Sequence, residues 1–223
     1  MMILRDMDLC NADNRAYIKK GLFFSFQCRG IVKLFLLNLS KYVTEDVKKI
    51  NFYCDENASQ YKITFHVDGF LDVTVPYDVP AFFKLQEQQK KEEALELLLQ
   101  SLLFVASEKQ WNPQPFYQAY EEVKKQNYRC LYTWKKTKAS PNRKYKAKVE
   151  CELTTTEAVV KLIVLNKEQT LKEVIVTTTE SDEALFDMYL GEIKWVSSSE
   201  VRLYRKYTRN PESNYAYIQL SQE

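Results

Sequence analysis

Hydrophobic and polar positions alternate most regularly in two stretches of the chain. From Ile50, "INFYCD" leads through a turn at "ENAS" to "YKITFHV", where Tyr61, Ile63, Phe65 and Val67 share one face and Lys62, Thr64 and His66 the other. An Asp68-Gly69 pair follows, suited to a two-residue hairpin because both positions accept the positive φ the turn demands. "FLDVTV" then runs to Pro76, and the stretch 50–76 reads as an antiparallel meander with one wet face. The second stretch, "KYKAKVECEL", places Tyr145, Ala147, Val149, Cys151 and Leu153 inward and Lys144, Lys146, Lys148, Glu150 and Glu152 outward. It is the second of four successive strands, after "YRCLYTWKK" and before "AVVKLIVL" and "LKEVIVTT". The third, apolar on both faces, belongs in the middle of a sheet.

Between these stretches the period changes to that of a helix. In "KLQEQQKKEEALELLLQSLLFVASEKQW" (84–111), Leu95, Leu98, Leu99, Leu102 and Val105 recur at three- and four-residue intervals, and Leu103 and Ala106 widen the stripe. The polar first half is expected on the surface and the second half enclosed. "WNPQPFYQAYEEVKKQN" starts a second helix, with Asn112 as cap, Pro113 in the first turn and Phe116, Tyr120 and Val123 inward. "LFFSFQC" and "IVKLFLLNLSKY", separated by Arg29-Gly30, read as strands or buried pieces of open type. "ESDEALFDMYLG" reads as a short helix capped by Ser181 and ended by Gly191, with "EIKWVSSSEVRLYRKY" and "NYAYIQL" as closing strands.

The expected fold is therefore α+β, with antiparallel β-meanders packed on a central helical hairpin. It is read as a single domain, 1–223, subdivided into an N-terminal meander (1–79), the helical hairpin (80–126) and a C-terminal meander (127–223).

Composition narrows the chemistry. Four glycines and six prolines in 223 residues leave little material for a phosphate-binding glycine loop or a disordered linker. The 32 basic and 30 acidic residues nearly cancel, so a charge-seeking partner must be met by a local patch. Five cysteines at wide spacings, without a CxxC pair, suggest a reduced intracellular chain. Arg5, Asp6 and Asp8 interrupt the start where a signal peptide would need an apolar core, and no other segment is long and apolar enough to span a bilayer. A cytoplasmic location and no membrane partner are expected.

No familiar catalytic template is present. His66 is the single histidine, which excludes two-histidine zinc sites, and it is expected on the polar face of its strand. GxSxG, GxxxxGK[ST] and GxGxxG are absent. Glu192 and Lys194 form an ExK pair that, with Asp182 or Asp187, has the elements of a magnesium-dependent nuclease site. A plain surface strand is the competing reading. Cys28, Cys54, Cys130 and Cys151 sit in apolar strand-like contexts as core fillers. No catalytic residue, metal site or cofactor is assigned.

The strongest charge feature is "KKTKASPNRKYKAK", an acid-free run bearing Lys135, Lys136, Lys138, Arg143, Lys144, Lys146 and Lys148. A hairpin so charged suits an acidic protein surface, or nucleic-acid phosphates, or simply protects a sheet edge from aggregation. Near the chain end Tyr204, Tyr207, Tyr215 and Tyr217 accompany Arg202, Arg205 and Arg209, and tyrosine and arginine are favoured anchors of interfaces. The partner-binding set read from the sequence is the seven basic residues with Arg202, Tyr204 and Arg205.

"YLGEIKWVSSSEVRLYRK" carries a resemblance. Short helix, glycine, tryptophan-bearing strand, polar turn and basic-aromatic strand look like the C-terminal part of small cytosolic immunity proteins that neutralise polymorphic bacterial toxins. The resemblance covers about a fifth of the chain. It implies a non-enzymatic protein that binds and inhibits a toxin. "VPYDVPAFF" is similar to the proline-bearing turn of RWD modules, with the tyrosine-proline order reversed, and implies the alternative of a scaffold subunit. A metal-dependent nuclease or a nucleic-acid binder is the third reading.

Overall fold

The computed structural model describes residues 1–13, 18–207 and 214–221, with backbone alone for 18–22. The fold is α+β, with mostly antiparallel sheets. The chain divides into two compact units, Met1–Cys130 and Leu131–Glu223.

The first unit is built on a four-stranded sheet in the order β2 (Asp6–Asn11), β4 (Lys49–Asp55), β6 (Phe70–Pro76), β5 (Lys62–Val67). One face carries Met7, Leu9, Ile50, Phe52, Cys54, Leu71, Val73 and Val75, all at most 1% exposed. Short strands β1 (Met2–Ile3) and β3 (Val43–Thr44) pair beside it. The β5–β6 hairpin turns at Asp68 (φ 52°) and Gly69 (φ 84°), as the Asp-Gly pair predicts. The rest of the expected meander is different: β4 runs parallel to both β2 and β6 and does not pair with β5. Residues 56–61 carry the chain past the place of β6 to the far edge. The more apolar strand then fills the interior position, because β6 buries three side chains on the core face while β5 half-buries only Ile63 and His66. A register irregularity between Ile63 and Phe65 breaks the expected alternation and leaves Phe65 and Val67 exposed.

The segment whose type the sequence left open is a helix, α1 (Ile18–Asn38), which links the parallel strands β2 and β4. Phe24, Cys28, Ile31 and Phe35 recur four, three and four residues apart and are all buried, with Val32 and Leu34 widening the stripe. Its many apolar residues blur that period in the sequence. A parallel pair needs such a crossover, and an apolar helix lying against the sheet supplies it.

Helix α2 (Val79–Phe82) is capped by Asp78, whose Oδ1 accepts from Ala81 N at 2.9 Å. The long helix α3 (Glu87–Lys109) is exposed at Glu87, Gln88 and Gln89 and buries Ala94, Leu95, Leu97, Leu98, Leu99, Leu102, Val105 and Ala106, as its polar-then-apolar sequence predicts. It ends at Gln110, which adopts the left-handed conformation. In α4 (Gln114–Lys125) Asn112 Oδ1 accepts from Gln114 N at 3.0 Å. Phe116, Ala119 and Val123 are its buried residues, while Tyr120 stays half-buried and donates to Glu96 Oε2 at 3.0 Å. Helix α1 packs against α3, α4 and β2. Tyr42 fastens the α3–α4 connection, its ring 4.7 Å from Phe116 and its hydroxyl donating to Asn112 O at 2.9 Å.

The second unit holds an antiparallel sheet in the order β10 (Gln169–Thr179), β9 (Ala158–Asn166), β8 (Lys146–Leu153), β7 (Cys130–Ala139). Strand β9 is interior and buries Val160, Leu162, Ile163, Val164 and Leu165, in keeping with its apolar pattern on both faces. Ala147, Val149, Cys151 and Leu153 of β8 are buried and Lys146 is exposed. Helix α5 (Glu183–Phe186) is capped by Asp182, whose Oδ1 accepts from Ala184 N at 2.8 Å. Ser181, the expected cap, is instead fully buried one residue earlier. A 3-10 turn over Asp187–Tyr189 leads to a second antiparallel sheet, β11 (Glu192–Trp195), β12 (Glu200–Tyr204) and β13 (Tyr215–Gln219). Its Ile193, Val201, Leu203 and Ile218 are buried.

Among the described residues no helix is long and apolar enough to cross a membrane.

Candidate interaction surface

Pairing within the β11–β12–β13 sheet decides which side chains share its outer face. Because Ile193, Val201, Leu203 and Ile218 point inward, their neighbours point out. The register sets Glu192, Tyr204 and Tyr215 in one row and Lys194, Arg202 and Tyr217 in the next. The Arg202 guanidinium lies over the Tyr215 ring at 4.3 Å, and its Nε donates to Glu200 Oε1 at 2.6 Å. Hydrogen bonding to Glu200 and then to Tyr204 raises the Arg202 pKa above its ordinary value. Tyr215 contacts Tyr204 at 5.5 Å and Tyr217 at 6.1 Å between ring centres. Arg205 covers Tyr189 at 4.4 Å. Arg202 and Tyr204 thus share one face with Tyr215 and Tyr217, of which Tyr217 is 57% exposed, whereas Arg205, just past β12, pairs separately with Tyr189. Arg209 lies outside the described residues.

The basic run forms the β7–β8 turn and its flanks. Its conformation is fixed by Ser140, 2% exposed, which donates its N–H to Tyr145 O at 2.9 Å and accepts Tyr145 N on Oγ at 3.0 Å. Arg143 occupies a left-handed conformation (φ 58°), with its N–H on Ser140 O at 2.8 Å. Lys144 N donates to Asn142 Oδ1 at 3.1 Å. A turn so braced presents its charges with little ordering left to do on binding. Lys135 sits over the Trp134 ring at 4.2 Å and Lys144 over Tyr145 at 5.5 Å. Lys136, Lys138 and Arg143 are exposed, and among the described residues no carboxylate lies within ion-pair distance of them. Lys146 and Lys148 differ, being paired with Glu168 and with Glu150 (2.7 Å).

The two parts meet at Trp195. Its indole Nε1 donates to Lys138 O at 3.0 Å, and its ring lies parallel to Tyr145 at 6.5 Å. Trp195 lies two residues after Ile193 and opposite Val201, so the basic turn is tied to the inner side of the sheet whose outer side bears the tyrosine–arginine face.

The other sequence-derived sites take ordinary structural places. Glu192 and Lys194 are exposed on β11, while Asp182 caps α5 and Asp187 pairs with Lys206. Among the described residues no group of three or more His, Cys, Asp or Glu side chains is placed to hold a metal ion. All five cysteines are free and four are buried. Burial pushes the Cys28 and Cys54 thiols well up, and burial with Asp8 nearby takes Cys10 to about 11. His66 is half-buried, its Nδ1 3.1 Å from Lys109 Nζ and its Nε2 3.4 Å from Asp46 Oδ2.

The sequence reading missed a charge network in the first unit. Arg29 of α1 donates to Asp8 Oδ1 at 2.7 Å, Asp6 Oδ1 at 3.0 Å and Met7 O at 2.8 Å, and so covers the outer edge of β2. Lys49 Nζ reaches Asp6 and Asp8 at 2.9 and 2.5 Å. Burial is the largest influence on both carboxyls. In Asp6 it is outweighed by Arg29 and Lys49, which hold the pKa below the ordinary value, whereas in Asp8 it prevails and raises it. The signal was present: Asp6 and Asp8 alternate with buried Met7 and Leu9, so both carboxylates had to share the polar face of one strand.

No protein-family model, curated protein or solved structure matches this chain.

Proposed function

We propose that this chain is a non-enzymatic protein-binding protein, an inhibitor of the immunity-protein kind that neutralises its target by direct contact. The binding surface is the tyrosine–arginine face of β11–β13 together with the β7–β8 turn. The observation that carries this reading is the contact of Trp195 with Lys138 and Tyr145, which ties a braced cationic turn to a sheet whose opposite, outer face sets Arg202 over Tyr215 beside Tyr204 and Tyr217. Such a face combines large aromatic contact area, little side-chain freedom to lose and charge to steer an acidic partner. An acidic protein suits it better than nucleic acid. Glu150 and Glu168 already neutralise Lys148 and Lys146, and a phosphate backbone following that strand would meet carboxylates.

The test is recovery of the tagged chain from its native source beside a variant carrying Lys138→Glu, Arg143→Glu and Arg202→Glu. The expected result is one stoichiometric protein with an acidic surface, identified by mass spectrometry and lost from the variant. Equal recovery with both chains, or no stoichiometric partner, would overturn the proposal.

A further inference from the structure

The first unit contains a second surface with a definite chemical preference. A groove of about 250 Å³ runs between residues 3–6 and the C-terminal half of α1. Leu4, in its lining, donates its N–H to Tyr42 O at 2.9 Å. Leu4 and Leu39 form its buried floor, and Leu37 stands 49% exposed in its wall. Its lining includes exposed Arg5 and Lys41, with Arg29 engaged by Asp6 and Asp8, and its one carboxylate is Asp6. That carboxylate is shared between Arg29 at 3.0 Å and Lys49 at 2.9 Å, so it offers nothing further to a cation. An incoming basic group would meet like charge, and an incoming acid would meet exposed Arg5 and Lys41 at the rim.

We propose that this groove docks a short acidic segment of a partner protein, one that sets a leucine-like side chain against Leu37 and places carboxylates between Arg5 and Lys41. Charge complementarity selects the acid, because Arg5 and Lys41 are exposed in the lining and its one carboxylate, Asp6, is already paired. The exposed leucine selects the apolar residue, because a wholly polar segment would leave Leu37 in water. The groove lies entirely within the first unit, and its residues are separate from those of the surface around Trp195.

The experiment titrates the full chain into a fluorescein-labelled hexapeptide, Glu-Glu-Leu-Leu-Glu-Glu, and follows anisotropy, with Lys-Lys-Leu-Leu-Lys-Lys as the charge control. Saturable binding of the acidic peptide is expected. It should weaken at least tenfold in the Arg5→Glu/Lys41→Glu variant and on raising salt, and should be unchanged by Arg202→Glu. A Leu37→Asp variant is expected to weaken it as well, which tests the apolar part with the rim cations intact. Thermal melts confirm that each variant folds; Arg5, Leu37 and Lys41 are exposed and Arg202 is half-buried. Absence of saturable binding at millimolar protein, equal affinity for the basic peptide, or affinity unchanged in the charge-reversed variant would overturn the proposal.

Discussion

Replacing Arg29 by methionine tests the account of the first unit at its most interconnected point. The guanidinium, 13% exposed, donates to Asp6, Asp8 and Met7 O, and in doing so closes the edge of β2. Bonds to charged groups contribute about 1.5–3 kcal/mol each when shielded, and exposed ion pairs about 0.2–1. The partner carboxylates are 32% and 26% exposed, so each bond belongs near the lower bound of the first range. Lys49 remains to neutralise part of the charge. The expected loss is therefore about 2–3 kcal/mol, equivalent to ~5–10 °C in Tm for a chain of this length. Urea and thermal unfolding of the full chain measure it, with a double-mutant cycle against Asp8→Asn. Because burial outweighs attraction at Asp8, removing its charge is expected to recover much of the loss in the Arg29→Met background. A loss below about 0.5 kcal/mol, strictly additive with Asp8→Asn, would refute the reasoning.

The two carboxyls also act in opposite directions on acid stability. Asp6, held below its ordinary 3.8, contributes stability above that pH and loses it as pH falls through the folded value. Asp8, raised above 3.8, costs stability when ionised, and that cost is relieved as pH falls through its folded value. A carboxyl-carbon NMR titration should place Asp8 above 3.8 and Asp6 below it, and Arg29→Met should move Asp6 upward.

Gly191→Ala should destabilise by about 1–3 kcal/mol, because the added Cβ would stand 2.5 Å from Tyr204 O and 2.8 Å from Arg205 C, both backbone atoms that cannot rotate away. Chemical denaturation measures it, and a neutral outcome would contradict the close approach of β11 and β12. Leu98→Ala, at a fully buried position in α3, should cost about 2–5 kcal/mol by the same assay. Glu168→Gly should raise the melting temperature even though it removes the ion pair to Lys146, since Lys167 and Glu168 both hold positive φ in the β9–β10 turn. A lowered melting temperature would show the ion pair to outweigh the strain.

The alternation of β8, the two-sided apolar pattern of β9, the Asp-Gly turn of the β5–β6 hairpin and the leucine stripe of α3 were legible in the sequence, whereas the irregularity that exposes Phe65 and Val67 of β5 was not. Each is decided by local pattern and turn chemistry. The parallel placement of β4 was not legible, because hydrophobic alternation fixes which face a strand buries and not which neighbour it pairs with. α1 was obscured by apolar clusters such as Leu22–Phe24 and Leu34–Leu37 and by two glycines, which weaken the periodic contrast. Ser181 and Asp182 are both good caps, and only the buried setting of Ser181 decides between them. For the candidate surface, Arg202, Tyr204 and Arg205 were found from residue type. The meeting of Trp195 with Lys138, 57 residues apart, depends on tertiary packing, and so does the neutralisation of Lys146 by Glu168 of the β9–β10 turn.

Calorimetric titration of the purified partner with wild-type chain, Arg202→Glu/Arg205→Glu and the first-unit control Lys91→Glu most directly tests the claim that the tyrosine–arginine face of the second unit binds a protein. The account predicts wild-type affinity for Lys91→Glu and a loss of about 2 kcal/mol or more, some thirtyfold in Kd, for the double variant. Equal affinity for all three chains would contradict it.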